Sequence, residues 1–469
     1  MFVSQFFSLI MRIFLVVFLA KVLGPEGYGQ FSAILAFTLI IEILFRSGLT
    51  GSIVKHISAD EEKTYSLARF GFLSQTVLST SVFLVVFLGA GVWARYIFND
   101  ISITGNLRIA SLYFVPFALF CMSYSIALGR REFGRVAVMT SAWFFLRTFV
   151  TVVFVMHTRS VSSALYAIFA AALLGLAPVG MLMPRIEKKK SDFDRRPVVI
   201  LAALLIVSAV SLRAVYQVDK LFIKNMIGAD DIVGVYALAS NFSLILQLFA
   251  MSMIATLFPS MSTSFAKSDM ALTRKYLATG TRYLLLMLLP VAFALNIVAR
   301  DVIRAFFGGE YLVSLTPFAI LIFASALFAF FLLYRQMLVS LDRQRMNVVI
   351  TVSVLALALV LNPIFITRYG FLGAAWATFA AAAAGAAVSG LCVFSALKQG
   401  YPWLSLARIL AASVVCYFLA LLAAPLGYAA RYGVYLLLAG GFFGILFASR
   451  ELTRDDVEYI KSVFKKGGE

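Results

Sequence analysis

The sequence predicts an all-α polytopic membrane protein with about fourteen transmembrane helices. Three observations predict it. First, 62% of the residues are hydrophobic and only 13% are charged, whereas soluble domains carry about 45–50% apolar and about 25% charged residues. A soluble chain of this composition would lack a polar surface to face water. Second, the apolar stretches are continuous, each near the roughly 20 residues that a helix needs to cross a bilayer. Strands of a membrane β-barrel would alternate apolar and polar residues instead. Third, the chain repeats its own motifs six spans apart, as transporters built by internal duplication do.

The expected spans run over 3–23, 29–53, 71–94, 107–128, 136–156, 161–183, 198–219, 232–258, 283–299, 315–341, 347–366, 371–396, 406–424 and 432–449. The first lacks a small-residue cleavage site and is followed by further spans, so it is expected to stay rather than serve as a signal peptide. The chain begins almost inside this run, which suggests that the start is incomplete. Connections are short. The longest lies between spans six and seven, from Pro184 to Pro197, and holds Glu187 followed by Lys188, Lys189 and Lys190.

The repeats set the expected domains. Leu23-Gly24-Pro25-Glu26-Gly27-Tyr28-Gly29 after span one matches Ile227-Gly228-Ala229-Asp230-Asp231-Ile232-Val233-Gly234-Val235-Tyr236 after span seven. Leu128-Gly129-Arg130-Arg131 after span four matches Leu341-Asp342-Arg343-Gln344-Arg345 after span ten, and Thr158-Arg159 matches Thr367-Arg368. All three pairs share nearly the same offset and keep their order. An even number of spans between copies gives both halves the same orientation, a parallel pseudo-two-fold along the membrane normal. The expected division is a six-helix bundle over 1–184, a basic linker over 185–197 on the cytoplasmic side, a second six-helix bundle over 198–396, two additional helices over 397–449, and a tail over 450–469.

In that tail, Thr453 and Asp456 have the spacing of an N-cap pair. Val457, Ile460 and Phe464 share one face, so an amphipathic helix or a plain solvated end helix both fit.

Charge explains topology before it suggests a partner. The net charge is +18, but loops after even-numbered spans and the tail hold more than twice the Lys and Arg of the other loops. The positive-inside rule then places both termini in the cytoplasm. No basic helix or known module points to nucleic acid. Cys121, Cys392 and Cys416 all fall in apolar runs and read as small packing residues. No metal-ligand cluster, nucleophile elbow or phosphate loop is present in the sequence, so no catalytic group, resident metal or cofactor is expected. Energy would come from an H⁺ or Na⁺ gradient, or from that of the cargo.

Ionisable groups inside spans cost about 2.5–3.5 kcal/mol each on insertion scales, so they face partners or water. Arg12, Glu42, Arg46, Arg147, Arg213 and Arg335 lie within spans, and Asp219 ends span seven. Polar neighbours line up with them: Gln5, Ser8 and Arg12; Thr38, Glu42 and Arg46; Thr140, Arg147 and Thr151; Arg213, Gln217 and Lys220; Ser240, Ser243 and Gln247. Each set falls on one helix face. Arg12, Arg46, Arg147 and Arg213 are therefore the candidate lining of a cationic cavity for an anionic ligand. Arginine suits phosphate because its planar fork makes paired hydrogen bonds. Glu42 and Asp219 are the candidate ion-coupling carboxylates. Plainer readings stand beside these. Glu42 and Arg46 are one turn apart and could form a structural clamp; Arg335 could snorkel to the interface; Asp219 could be an interfacial cap. His56 and His157 lie in or beside loops, where a lone histidine is more often incidental than a proton relay.

Several runs resemble the polysaccharide-biosynthesis or O-antigen flippases of the multidrug/oligosaccharidyl-lipid/polysaccharide exporter superfamily. They are Leu23 to Ser32 with Arg46-Ser47-Gly48-Leu49; Val218-Asp219-Lys220-Leu221-Phe222-Ile223 with Gly234-Val235-Tyr236 and Leu257-Phe258-Pro259; and Asn362-Pro363 with Tyr369-Gly370-Phe371-Leu372-Gly373 and Ala374-Ala375-Trp376-Ala377-Thr378. The resemblance spans nearly the whole chain. It implies two six-helix bundles in a V around a central cavity. It also implies translocation of a polyprenyl-pyrophosphate-linked oligosaccharide repeat unit between leaflets of a bacterial or archaeal cytoplasmic membrane.

The implied partners are the bilayer, an anionic lipid-linked oligosaccharide, and polysaccharide polymerase and assembly proteins. A peptidoglycan-precursor flippase, a multidrug exporter or a membrane glycosyltransferase are the alternatives. A cation exporter should want acids where this chain has arginines. A glycosyltransferase should want a large acidic outer loop, which this chain lacks.

Overall fold

The computed structural model describes residues 2–177, 186, 191–423, 428–449 and 451–452, and every regular element among them is a helix. The expected tail helix, most of the basic linker and the end of the sixth span lie outside the described residues, as does the side chain of Gln5. The chain opens with α1 (Phe2–Ile43), whose course breaks at Gly24 with φ 67° and ψ 177°. Glycine adopts that backbone without a Cβ clash, and Pro25 then supplies the fixed φ that suits a first helical turn. The expected first two spans are thus one helical run divided where the sequence reads Gly-Pro.

A π-helical turn, Leu44–Gly48, follows and leads into α2 (Leu49–Ala59). Then come α3 (Thr64–Leu88), α4 (Ala90–Tyr96), α5 (Thr104–Leu112), α6 (Phe114–Gly129), α7 (Phe133–Thr158) and α8 (Val161–Leu174). The chain continues through α9 (Arg195–Val215), α10 (Val218–Ile227), α11 (Asp230–Ser243), α12 (Ile245–Ala266), α13 (Met270–Phe306) and α14 (Leu315–Ser340). It ends in α15 (Gln344–Tyr369), α16 (Phe371–Ala396), α17 (Trp403–Leu422) and α18 (Tyr428–Ala448).

Eleven runs among the described residues are long and apolar enough to cross a membrane. Three places account for the difference from fourteen. The first run carries two expected spans joined through the Gly24 break. The sixth is represented by α8, a shorter apolar helix. The eighth corresponds to α11 and α12, which meet at Leu244, and α12, 22 residues long, holds several residues whose side chains are not described.

The chain forms two compact units. One comprises Met1–Asn241, Arg304–Pro317 and Val348–Ala381, and the other Phe242–Ile303, Phe318–Asn347 and Ala382–Glu469. In the first, α2, α3, α6 and α9 share a core of Leu49, Ile53, Ile57, Leu67, Ala68, Met122, Ile126, Val198 and Ala202. Within lipid such packing is held by close van der Waals fit and small residues rather than by exclusion of water. Glycines set the tightest approaches. A Cβ on Gly29 would overlap the Asp230 carbonyl oxygen, and a Cβ on Gly234 would overlap that of Pro25. A Cβ on Gly48 would meet the Ile206 side chain, so α9 sits directly on the π turn.

The second unit closes its charges locally. Arg282 and Arg408 pair with the buried Glu451, the former at 3.1 Å and the latter at 3.5 Å. Arg431 pairs with Asp301 at 2.6 Å. Arg335 donates through Nε to Asn347 Oδ1 at 2.9 Å and lies over the Phe331 ring.

Candidate functional site

The four candidate arginines stand on four different segments of the first unit: Arg12 on α1, Arg46 on the π turn, Arg147 on α7 and Arg213 on α9. The fold brings all four together. Arg12 feels the charges of Arg46, Arg147 and Arg213, and of Glu42. Glu42 likewise acts on Arg46 and Arg213.

The π turn helps to aim the group. Such a turn shifts the residues after it around the helix, and π turns occur frequently at functional sites. Here the irregular turn is satisfied by Gln75 on α3, whose buried Nε2 donates to the Phe45 carbonyl at 2.9 Å. The tight seat of α9 on Gly48 fixes the helix that carries Arg213.

The arginines far outnumber the acids among them. Glu42 is the nearest carboxylate, 7% exposed, with Oε1 3.8 Å from an Arg46 terminal nitrogen. That separation exceeds hydrogen-bond reach. Among the described residues, Arg12, Arg147 and Arg213 have no ion pair within 4.0 Å. Arg12 lies 4.6 Å from the Phe144 ring centroid, a cation–π contact. The Nε of Arg147 is buried with no hydrogen-bond partner. The Arg46 side chain remains 58% exposed inside a run apolar enough to cross a bilayer. A guanidinium bared to lipid is costly, so an exposed guanidinium in such a run faces water, the interface or an anionic partner.

Many of the polar residues expected to help are occupied at home. Thr38, Thr140 and Thr151 donate to their own helix, to the carbonyls of Ile34, Val136 and Arg147. Thr38, Glu42, Tyr113 and Arg147 line one cavity of about 10 Å³, room for one water at most. A phosphate group would therefore have to meet the arginines from the open side of Arg46. A larger hollow of about 280 Å³ lies beside the Gly29–Gly234 crossing. Its charged lining residues, Asp231 and Glu310, have the wrong sign for an anion.

Asp219 stands apart from the arginines. It is 2% exposed, its Oδ2 accepts from the Tyr236 hydroxyl at 2.8 Å, and its Oδ1 accepts from the Lys220 amide at 2.8 Å. The sequence reading did not choose Lys220 as a site residue. Its buried ammonium donates to the Tyr216 carbonyl and to Gln217 Oε1, both at 3.2 Å, and feels the charge of Arg213. Tyr113 was also missed; its hydroxyl donates to Glu42 Oε2 at 3.2 Å.

Another charged group was missed entirely. Lys224, 2% exposed, pairs with Asp100 at 2.8 Å and Asp230 at 2.9 Å. Around it, Asn225 donates to the Tyr96 and Ile97 carbonyls, and Asn99 to the Asn225 carbonyl. Burial pulls the Lys224 ammonium down, but its hydrogen bonds to the two aspartates win and hold it above the usual lysine range. Burial raises the Asp100 carboxyl, yet hydrogen bonds from Lys224 and Ser102 hold it below the usual carboxylate range.

The fold defines a class. It is similar to that of a lipid II flippase in an inward closed conformation, with a TM-score of 0.78 and 17% identity, covering 95% of this chain and 99% of that one. It is also similar to an inward-facing multidrug resistance MATE family transporter of the MOP superfamily, with a TM-score of 0.69 and 12% identity, covering 83% of this chain and 95% of that one. The chain shares the multi-pass helical fold of these two proteins. Residues 1–265 match the family described as "polysaccharide biosynthesis protein", and the chain belongs to that family. Among its relatives are a "putative O-antigen transporter" of Shigella flexneri, 23% identical over 76% of this chain and 87% of the relative, and a "probable low-salt glycan biosynthesis flippase" of Haloferax volcanii, 22% identical over 81% and 79%.

Proposed function

We propose that this protein is a flippase that carries a polyprenyl-pyrophosphate-linked oligosaccharide repeat unit from the cytoplasmic to the outer leaflet for surface polysaccharide synthesis. The observation that carries the reading is the convergence of Arg12, Arg46, Arg147 and Arg213 from four segments onto one carboxylate. A pyrophosphate diester bears two negative charges. Planar guanidinium forks can replace part of its hydration with charge-assisted hydrogen bonds. The names of the two relatives point the same way.

In this reading the protein sits in a cytoplasmic membrane with both termini inside. Two six-helix halves alternate access to the site, and the prenyl tail stays in lipid. An H⁺ or Na⁺ gradient drives the cycle, with Glu42 or Asp219 as the coupling carboxylate. A peptidoglycan precursor carries the same pyrophosphate, so the fold likeness to a lipid II flippase keeps that cargo as the second reading.

The test is translocation of a prenyl-pyrophosphate-linked oligosaccharide in proteoliposomes, wild type against Arg46→Ala and Arg213→Ala. Wild type should translocate and the folded variants should fail. If folded wild type moves no such lipid but exports small cationic amphiphiles, the reading is wrong and the arginines are structural.

A further inference from the structure

Glu42 is the residue that anion binding does not explain. A carboxylate set among arginines repels the ligand they attract. A tight structural clamp would close to hydrogen-bond distance, yet the Glu42–Arg46 ion pair stays open at 3.8 Å. What holds it back is visible. Tyr113, between α5 and α6, donates its hydroxyl to Glu42 Oε2 from the other side at 3.2 Å. Tyr113 is itself fixed, stacked on Phe117 with centroids 4.7 Å apart and against Trp143 at 6.3 Å. Glu42 is 7% exposed while the Arg46 head is 58% exposed. The carboxylate is therefore a fixed charge behind the arginines, and the guanidinium in front of it stays open.

We infer that Glu42 is a built-in competitor of the cargo's phosphates, a shared counter-charge that Tyr113 holds just out of contact so that the arginines bind the anionic head weakly enough to release it. The inference rests on the flippase reading of the arginine group. An anion site without a resident carboxylate would hold a doubly charged head at the bottom of a deep well. A carrier must empty as well as fill, so part of the attraction has to be cancelled in advance. A carboxylate closed on Arg46 would remove that arginine from binding, and one far away would cancel nothing. Glu42 lies between those limits, and its charge acts on Arg12, Arg46 and Arg213 together. Tyr113 acts through Glu42 and is a positioning residue.

The experiment uses the full chain in lipid nanodiscs and proteoliposomes, with a short-chain prenyl-pyrophosphate disaccharide as probe. Binding and the translocation rate at saturating probe are measured for wild type, Glu42→Gln, Glu42→Asp, Tyr113→Phe and Arg46→Ala. Glu42→Gln keeps the shape and can still accept from Tyr113, but loses the charge. It should bind about tenfold tighter or more, because a nearby like charge has gone, and should translocate more slowly once saturated. Glu42→Asp should restore wild-type behaviour in part. Tyr113→Phe frees Glu42 to close on Arg46 and should bind more weakly, the opposite sign.

A Glu42→Gln variant that binds no tighter, while wild type binds and Arg46→Ala does not, overturns the inference and leaves the flippase reading standing. A wild type that binds no pyrophosphate probe sinks both. If Glu42→Gln does not fold, Tyr113→Phe decides alone: weaker binding supports the competitor role, and unchanged binding overturns it.

Discussion

Two buried charge groups in the same unit follow opposite rules. Around Lys224, one cation meets two carboxylates at 2.8 and 2.9 Å, and the ammonium is 2% exposed. Asparagine hydrogen bonds bracket the group on both sides. Around Arg46, four cations meet one carboxylate that makes no direct hydrogen bond to any of them, and the foremost head is 58% exposed. The first group spends its charge on itself and ties the segment between α4 and α5 to α10 and α11. The second keeps charge in hand. Burial alone therefore does not separate structure from function. The balance of sign, and whether the partners actually touch, does.

That comparison can be broken or sharpened by mutation. The largest effect on stability should come from Lys224→Met. It strands two carboxylates, and removing one partner of a buried pair costs about 3–5 kcal/mol. The melting temperature in detergent should fall sharply, whereas Arg12→Ala, which relieves repulsion, should leave it nearly unchanged. Equal losses from both would erase the distinction drawn between the two groups.

Next, Arg46→Ala and Arg213→Ala should each weaken binding of a pyrophosphate-headed lipid by roughly 1.5–3 kcal/mol, the worth of hydrogen bonds to charged groups. That is about tenfold or more in the dissociation constant, read by titration in nanodiscs. Lys224→Met, once folded, should bind like wild type.

Gly29→Ala or Gly234→Ala should then cost roughly 1–3 kcal/mol of stability through overpacking, because each new Cβ meets a backbone carbonyl rather than a yielding side chain. Gly91→Ala, where a Cβ meets nothing within 4 Å, is the control.

The smallest effect is on pH. Asp100 is held below the usual carboxylate range, so its contribution is fully present above about pH 4 and is lost as pH falls through its depressed value. Lys224 is held above the usual lysine range, so its share is present below about pH 10 and is lost as pH rises through the raised value. As far as Asp100 and Lys224 are concerned, melting temperature should be flat between these limits. The gap between wild type and Asp100→Asn should narrow in acid, as Asp100 is protonated, and again in alkali, as Lys224 loses its charge.

The fold class was legible because continuous apolar runs leave a chain few alternatives. The break after span one was legible too, since Gly24-Pro25 states it. The break at Leu244 was not, for neither Leu244 nor its neighbours is a helix breaker. Nor was the π turn, whose residues Leu44 to Gly48 would suit an ordinary helix. The arginines could be picked out individually because each is expensive where it stands. That they meet depended on which faces pack together, and periodicity along one helix says nothing of its neighbour. Tyr113 was hidden in an aromatic run, Leu112-Tyr113-Phe114-Val115-Pro116-Phe117, that reads as packing. Lys224 and Asp100 lie too far apart in sequence for any local rule to pair them. Asp219 was read as an interfacial cap or a coupling carboxylate. The structure places it within hydrogen-bond reach of Tyr236, on the other copy of the glycine motif.

The crossing of α1 and α11 has a historical consequence. Gly29 presses on the first turn of α11 at Asp230, and Gly234 presses on the turn that Pro25 begins. Each glycine lies four residues beyond the residue its counterpart touches, so exchanging the two copies leaves the contact unchanged. That is the signature of an isologous interface, in which one patch meets itself. A single ancestral half bearing this patch would already have carried everything needed to pair with a second copy of itself. Fusion of the two genes would then have inherited a working joint rather than invented one.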